Sequence, residues 1–302
     1  MAYTFEQRFF STSDGTRIGY QVAGTPGRPR LLLGNGLGGN YHAFQPLVDQ
    51  IGDRYWFCCW DYRGLFSSAF ERHFPRRRTP RSRLRVETHA RDGIELLERE
   101  GFDRFPIVAW SMGVQVALEI YRRLPERITG LALLNGVAGN LYRTAFGRLP
   151  QTDRLMPVVL EGIRQIWPVT QTVVVAATQL PRFLDLAAGI GIVRPEIDRG
   201  VAGQVVRAFG GLDMHYYFDL LTVLGEHDAS DVLPTVRCPT LVVSADHDLF
   251  TPGFASRDMA AAIAGAEVVN FPHGSHYTPI EYPDEVNAAV ERFLGERVGL
   301  GG

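Results

Sequence analysis

One serine stands at the junction of two segments of different character. An apolar run, 105–110, ends abruptly at Ser111, and a helix-forming run, 114–121, follows it directly. Ala109 and Gly113 lie two positions before and after the serine, where a sharp strand-to-helix turn requires small residues. This layout is typical of a nucleophile elbow, which lifts a hydroxyl clear of a sheet and places it at a helix N-terminus. Because the N–H groups there stabilise negative charge, the pattern indicates nucleophilic attack through an oxyanion.

A small-x-Ser-x-Gly pentapeptide occurs by chance in many proteins, so the hypothesis needs an acid and a histidine at matching places. Downstream of the serine, one predicted strand is followed by Asp246 and Asp248, and the next by His273 and His276. In open α/β proteins the carboxyl ends of parallel strands form one edge, where sites are built. We therefore expect a serine, an acid and a histidine to meet at this edge. His247 lies between the two acids and is expected to face its loop.

The elements that would position these residues follow a strand–helix alternation with one interruption. Eight apolar or alternating runs predict strands, at 4–10, 16–22, 30–33, 56–60, 105–110, 128–134, 239–244 and 266–271. Helical spacing predicts helices between most of them. The sequence therefore predicts an α/β fold with a mostly parallel, eight-stranded twisted sheet and helices on both faces.

The alternation stops between about residues 140 and 232, where five predicted helices follow one another. Charges are sparse and apolar side chains abundant in this segment, as Phe183, Phe209 and Tyr217 illustrate. We predict a core domain of residues 1–139 and 233–302 with an α-helical cap, or lid, at 140–232. The cap composition favours an apolar pocket roof over plain core packing.

A glycine-rich loop, 34–40, follows the predicted strand 30–33. A phosphate-cradling loop is the rival interpretation, but neither the dinucleotide fingerprint nor a lysine-bearing loop is present. Glycines also permit close backbone approaches and can turn an N–H group into a pocket. Leu37 is the candidate for that N–H group.

Composition excludes several function classes. The chain of 302 residues has a formal net charge of −2, which provides no global field for nucleic acid or an anionic membrane. All 31 basic residues are arginine, so lysine-based chemistry is excluded. Three cysteines in or beside apolar runs indicate buried thiols, and no spacing suits zinc. Neither a leader nor a spanning segment is expected, so we predict a soluble, cytoplasmic protein.

An arginine-rich stretch between Arg72 and Arg85 contains seven arginines and two prolines. It could anchor an acidic partner, such as a carrier protein or a membrane surface. A solvated loop is favoured, because no aromatic residues are interleaved for base stacking and the charge of the whole chain is balanced.

Taken together, these motifs resemble the α/β-hydrolase fold family over nearly the whole chain. The matching segments are the loop 34–40, the D-x-R-G turn 61–64, the elbow 109–113, the acid-bearing strand and loop 239–252, and the tail 276–283. The resemblance implies that Ser111 is the nucleophile, Asp248 the acid and His276 the base.

The family's spacing ranks the competing residues. Asp248 is preferred to Asp246 because it stands four positions before Pro252, as the family's acid does. His276 is preferred to His273 because an H-x4-E-x-P tail begins at it. Asp61 and Arg63, in the D-x-R-G turn, are expected to have structural roles.

The resemblance implies a serine hydrolase that cleaves a carboxylic ester of a fairly apolar small molecule without a cofactor or metal. The N–H groups of Leu37 and Met112 would form the oxyanion hole, and Asn35, Gly36 and Trp110 would belong to the substrate pocket. The sequence departs from the family in two places. Asn35 replaces the usual histidine of the oxyanion loop, and Ala109 replaces the first elbow glycine.

Other functions fit the same residues. A vinylogous diketone (C–C bond) hydrolase, a lactonase and a cofactor-free perhydrolase would use the same triad. From another class, a hydrolase-like ligand-binding receptor would keep a vestigial triad. A serine nucleophile argues against haloalkane dehalogenase and epoxide hydrolase chemistry, which need a carboxylate. The expected partner is a small-molecule ester, with no nucleic acid and no stable membrane insertion, and the oligomeric state is left open.

Overall fold

The computed structural model describes residues 2–70, 79–148 and 151–300. A single sheet passes through these residues. Its strands are β1 (Glu6–Ser11), β2 (Arg17–Gly24), β3 (Arg30–Gly34), β4 (Trp56–Trp60), β5 (Phe105–Trp110), β6 (Ile128–Leu134), β7 (Thr240–Ala245) and β8 (Glu267–Phe271). Their order across the sheet is β1-β2-β4-β3-β5-β6-β7-β8.

The pairing of the strands confirms the predicted fold class. β1 pairs with β2, and β2 with β4, in antiparallel orientation, while the pairs from β4 through β3, β5, β6 and β7 to β8 are parallel. Gly34 at the end of β3 lies opposite Ala109 of β5, and Trp110 lies opposite Leu134 of β6. The carboxyl ends of these central strands are therefore level, which brings their following loops together.

Helices lie on both faces of the sheet, and others follow one another between β6 and β7 in the chain. They are α1 (Gln45–Ile51), α2 (Val86–Arg99), α3 (Met112–Arg123), α4 (Leu141–Arg148), α5 (Thr152–Gln165), α6 (Trp167–Thr178), α7 (Phe183–Gly189), α8 (Arg199–Gly210), α9 (Met214–Glu226), α10 (Gly253–Ala261), α11 (Thr278–Glu281) and α12 (Pro283–Arg292). The apolar sides of α2, α3 and α10 belong to one core, and those of α1 and α12 to the other. Because β5 has helices on both sides, all six of its residues are buried.

The turn after β4 has contacts that stabilise the fold. Arg63 forms an ion pair with buried Asp92 of α2, Nη2 to Oδ1 2.6 Å, and also contacts Asp14 at 2.7 Å. Asp61 accepts a hydrogen bond of 3.0 Å from Gln21. These contacts support the structural roles expected of Asp61 and Arg63.

Helices α4 to α9 lie between β6 and β7 in the chain. The sequence predicted five helices here and missed α4. The two ends of the segment meet, because Ala229 N donates a 2.8 Å hydrogen bond to Ala138 O. Such closure supports our proposal that residues 140–232 form a cap inserted into the core domain 1–139 and 233–302.

Part of the arginine-rich stretch, residues 71–78, lies outside the described residues. Of its remaining arginines, Arg81 contacts Glu161 of α5 at 3.6 Å, and Arg83 contacts Asp14 at 3.1 Å. Within the described ranges, no helix combines the length and apolar composition that crossing a bilayer requires.

Candidate active site

Ser111 occupies the turn between β5 and α3 in a strained conformation. Its φ of 57° and ψ of −121° lie outside the regions that L-residues favour. A non-glycine residue held there costs about 1–3 kcal/mol, and such strain clusters at functional sites. Ser111 N still donates to Leu134 O of β6 at 3.0 Å, and α3 begins at the next residue, so the change from strand to helix falls on Ser111 itself.

Close packing of the backbone explains why the elbow contains small residues. A Cβ added at Gly113 would lie 2.3 Å from Gly34 O, and a Cβ added at Gly34 would lie 3.2 Å from Ala109 Cβ. The backbones of β3 and α3 therefore touch beside the serine. Ala109 fits in place of the usual glycine because its neighbour across the sheet, Gly34, has no side chain.

We expect Gly113→Ala to lower the free energy of unfolding by about 2 kcal/mol, because its Cβ would collide with a backbone oxygen that cannot rotate away. Urea unfolding measures the change. Gly162→Ala is the matched control, since its Cβ would meet nothing within 4 Å in α5 and should stabilise the helix by up to about 1 kcal/mol. Equal unfolding midpoints for the two variants would contradict the packing described for the elbow.

Three of the predicted residues form one hydrogen-bonded row. Ser111 Oγ lies 2.8 Å from His276 Nε2, and His276 Nδ1 lies 2.9 Å from Asp248 Oδ2. A carboxylate only accepts hydrogen bonds, so Nδ1 carries the imidazole proton and Nε2 is left to accept from the serine hydroxyl. The arrangement can remove the hydroxyl proton as the oxygen attacks a substrate.

The competing acid and histidine lie elsewhere. Asp246 is exposed and bonds to Arg257 at 2.8 Å, a contact that lowers the pKa of its carboxyl group. His273 is also exposed and stacks on His247, with ring centroids 6.4 Å apart. The geometry thus brings Asp248 and His276 to the serine and leaves Asp246 and His273 at the surface.

Asp248 is held by its own loop. Its Oδ1 accepts hydrogen bonds from Phe250 N at 2.9 Å and Thr251 N at 2.7 Å. Thr251 Oγ1 lies 2.7 Å from Asp248 Oδ2 and 2.8 Å from Asn135 O. The carboxylate is only 3% exposed, so these donors replace the water that burial removes.

Two supporting residues were missed by the sequence analysis. Asn135, at the end of β6, has a φ of 44° and donates through Nδ2 to Asp248 Oδ2 at 3.3 Å and Ser275 O at 3.2 Å. Glu281 accepts from Ser275 N at 2.8 Å and thereby fixes the loop that carries His276. For Asn135, the only signal in the sequence was its place at the end of a predicted strand. Glu281 was part of the H-x4-E spacing, but no role was assigned to it.

The candidate oxyanion donors flank the serine. Met112 is the first residue of α3, so its N–H has no acceptor within the helix. Leu37 lines the same cavity as Ser111. A Cβ at Gly36 would lie 3.2 Å from Ser111 Cβ, so a glycine lets the loop 36–39 approach the nucleophile.

A cavity of about 250 Å³ opens over the serine. Its floor is formed by the loop 36–39, Trp110, Ser111 and His276. Its roof comes from the helical segment and is apolar, with Phe183, Leu184, Ala187, Ile192, Val193, Ile197, Ala202, Val205, Val206, Phe209 and Tyr217. This lining matches the predicted pocket roof. A larger open groove of about 840 Å³ near the amino ends of β6 and β7 contains none of the triad residues.

The prediction for Asn35 needs correction. Its side chain is buried, donates through Nδ2 to Trp60 O at 2.9 Å and is not among the cavity-lining residues. The amide therefore fixes the end of β3 to the end of β4 instead of facing a substrate. Gly36 and Trp110 do line the cavity, and Trp110 Nε1 donates to His276 O at 2.9 Å.

Within the described residues, no group of three or more His, Cys, Asp or Glu side chains is placed to hold a metal ion.

Comparisons with known proteins agree with this architecture. The model of the Alpha/beta hydrolase family matches residues 31–289. The protein named "Putative carbamate hydrolase RutD" from Klebsiella pneumoniae is 26% identical over 278 residues, 91% of this chain and 94% of the relative. The family model and this relative support a hydrolase activity.

Two solved structures show the same fold. The enol-lactonase from Burkholderia xenovorans has a TM-score of 0.73 at 21% identity and covers 96% of this chain and 100% of its own. The esterase from Exiguobacterium antarcticum has a TM-score of 0.76 at 18% identity and covers 95% and 99%. Since the family model spans most of the sequence, the chain belongs to the alpha/beta hydrolase family.

Proposed function

We propose that the protein is a serine hydrolase that cleaves a carboxylic ester of a fairly apolar small molecule. The observation that carries the proposal is the row Asp248–His276–Ser111, with contacts of 2.9 and 2.8 Å, opening into an apolar cavity. A hydroxyl, a base and an orienting acid in hydrogen-bond reach of one another are what acyl transfer requires. The mechanism needs no cofactor.

In the first half-reaction, His276 Nε2 accepts the proton of Ser111 Oγ as the oxygen bonds to the carbonyl carbon. The negative charge that develops on the carbonyl oxygen is received by the N–H groups of Leu37 and Met112. One such donor contributes about 3–4 kcal/mol of barrier lowering in other serine enzymes. Asp248 holds the imidazole in the productive tautomer and stabilises the imidazolium.

The intermediate then collapses. The bond to the alcohol oxygen breaks, the alcohol leaves with the proton from His276, and an acyl group remains on Ser111. A water molecule, deprotonated by the same Nε2, adds to the acyl carbon. Release of the acid returns the proton to Ser111 and completes hydrolysis.

The apolar roof supports a substrate whose non-reacting part is hydrocarbon. An apolar group that binds against side chains such as Phe183, Leu184 and Phe209 is stabilised by about 25 cal/mol for each Å² of apolar surface removed from water. Carbamates are a second candidate class, because the RutD relative carries that name over nearly its whole length. Attack on a carbamate carbonyl would use the same residues.

A substrate panel tests the proposal. It contains ethyl esters of increasing chain length, lactones, carbamates, a vinylogous diketone and peroxide with a carboxylic acid, each assayed with wild type and with Ser111→Ala. The expected result is turnover of esters that improves with apolar chain length and disappears in the variant. Turnover of the diketone alone would replace the proposal by C–C bond hydrolysis, and no turnover of any compound would favour the receptor alternative.

A further inference from the structure

Two tyrosines supply the side-chain hydroxyls that line the cavity besides Ser111. Tyr217 of α9 belongs to the roof, and Tyr277 follows His276 in the chain. The remaining roof side chains are hydrocarbon or aromatic. The phenols therefore place polar groups in otherwise apolar surroundings, and neither has a part in the proposed chemistry.

Both rings are fixed by their neighbours. Tyr217 packs edge-on against Phe209, with centroids 5.2 Å apart, and its Cε2 lies 3.0 Å from where a Cβ at Gly38 would stand. Tyr277 packs edge-on against Trp110 at 5.7 Å. One phenol thus lies over the oxyanion loop and the other beside the histidine, on two sides of the nucleophile.

Tyr217 and Tyr277 are only partly buried, and their hydroxyls differ from those of the tyrosines buried in the core. Each fully buried tyrosine in the described ranges donates a hydrogen bond, to acceptors in Glu100, Asn35, Thr235, Leu221 and Leu300. Among the same residues, no hydrogen bond is found for the hydroxyl of Tyr217 or Tyr277. Because Tyr217 and Tyr277 are only partly buried and line the cavity, their hydroxyls stay available to a bound ligand.

The surroundings also keep both phenols protonated. Burial raises the pKa of Tyr277 to about 12, and it raises the pKa of Tyr217, with the charge of ionised Tyr277 as the next cause. Each phenol is therefore an O–H donor at neutral pH. Both donors line the same cavity as Ser111.

We propose that Tyr217 and Tyr277 form a subsite that donates hydrogen bonds to a second oxygen of the substrate, a ketone or ether oxygen separate from the scissile carbonyl. The inference rests on the proposed ester hydrolysis. It narrows the substrate class to esters that carry an additional ketone or ether oxygen. A plain alkyl ester fills the roof but leaves both donors unpaired. An ester with a second oxygen satisfies them and is selected for that reason.

Matched esters test the subsite by kinetics. Ethyl pentanoate is compared with its 3-oxo and 4-oxo analogues, using wild type, Tyr217→Phe, Tyr277→Phe and the control Tyr216→Phe, which lies outside this cavity. We expect wild type to prefer one oxo ester, and each cavity variant to lose about tenfold in its kcat/KM while the plain ester changes less than about twofold. Equal losses for oxo and plain esters would overturn the subsite.

A binding measurement separates the subsite from the proposed function. Calorimetric titration of Ser111→Ala with the same esters needs no turnover. Tighter binding of an oxo ester that disappears in Ser111→Ala/Tyr217→Phe supports the subsite even if hydrolysis fails in wild type. Equal affinities for oxo and plain esters overturn it even if wild type hydrolyses both.

A second observation concerns the outer surface of the cap. Ten large aliphatic side chains between residues 155 and 190 are exposed, from 38% for Val175 to 72% for Ile190. The others are Leu155, Val158, Val159, Ile166, Val169, Val173, Leu180 and Leu186. We call these ten residues the apolar cap face.

Helix α6 shows that this exposure is not incidental. Its inward side carries polar groups, because Gln171 bonds to Leu212 O and Met214 N at 2.9 Å each, and Thr178 is buried. Val169 and Val173, one turn apart, each remain 60% exposed. Val174 packs inward against the core, so the helix is apolar on its outer side as well and lacks the polar outer face of an ordinary surface helix.

The charged residues around the apolar cap face indicate which kind of partner it binds. Between residues 155 and 190 the acidic residues are Glu161 and Asp185, which pair with Arg164 at 2.5 Å and Arg199 at 2.7 Å. Exposed Arg154 and Arg182 have no ion-pair partner among the described residues. An apolar helical surface bordered by arginines suits the boundary of an anionic bilayer. We propose that the apolar cap face binds reversibly to an anionic lipid surface.

Vesicle co-sedimentation tests the face. Wild type is expected to bind vesicles that contain phosphatidylglycerol and to bind phosphatidylcholine vesicles at least about tenfold more weakly. Val169→Glu/Val173→Glu should abolish binding, while Val268→Glu, at a position 44% exposed on β8, should not. Absence of wild-type binding would overturn the proposal, as would a dimer in analytical ultracentrifugation that only the double variant dissociates.

Discussion

Ser111→Ala is expected to lower kcat for ester hydrolysis by roughly 10⁴- to 10⁶-fold, the range found when a serine nucleophile is removed. The physical reason is that His276 Nε2 then has no hydroxyl within its 2.8 Å reach to deprotonate. Initial rates with an ethyl ester at saturating concentration measure the effect. The residual rate over water would come from the oxyanion donors and the apolar roof.

Two controls separate this loss from a loss of fold. Ser82→Ala changes an exposed serine far from the elbow in the chain and should keep the wild-type rate. The circular dichroism spectrum and unfolding midpoint of Ser111→Ala should match those of wild type, because a methyl side chain fits the same turn. A folded Ser111→Ala protein with more than about a tenth of wild-type activity would exclude the serine as nucleophile.

The second large effect is expected for Asp248→Asn, which should lower kcat by about 10⁴-fold. The amide that replaces the carboxylate would present N–H groups to His276 Nδ1 and favour the tautomer that cannot accept the serine proton. Because Phe250 N and Thr251 N can still donate to the amide oxygen, the loop should keep its shape.

Asp246→Asn is the matched control, since it removes the same charge two residues away. Its carboxylate bonds to Arg257 at the surface and has no contact with His276, so kcat should stay within about twofold. Comparable losses in the two variants would mean that the charge of the loop, and not the contact of Asp248 with the imidazole, sustains activity.

The sheet was predictable because its central strands are short, apolar and bounded by glycine or polar turns. Runs such as Leu31–Leu33 and Phe105–Trp110 have no amphipathic alternative, so burial on both faces is the simple outcome. The strand ends at one edge of the sheet predicted that a serine, an acid and a histidine would meet there. The choice of Asp248 and His276 over Asp246 and His273 came from the resemblance to the family. The sequence analysis did not predict the short helix α11, because four residues are too few to show a periodic pattern.

The parts that sequence analysis missed depend on contacts between distant segments. Asn135 bonds to groups 113 and 140 positions away in the chain, and no local pattern encodes such a partner. Asn35 looked like a pocket residue because it replaces the usual histidine of the family's oxyanion loop, yet its amide bonds to Trp60 O instead. Within the helical segment 140–232, composition alone could not separate Phe183, which lines the cavity, from Val173, which is exposed.

Covalent labelling with a fluorophosphonate shows whether Ser111 is an activated nucleophile, because the reagent modifies a serine only where a base activates it and a donor pocket receives the charge. We expect one phosphonyl group per chain, located by peptide mass spectrometry on Ser111, with loss of activity in proportion to labelling. Ser111→Ala and Asp248→Asn should remain essentially unlabelled over the same time. Phosphonylation at another residue, or full ester turnover by protein that carries the label on Ser111, would contradict this expectation.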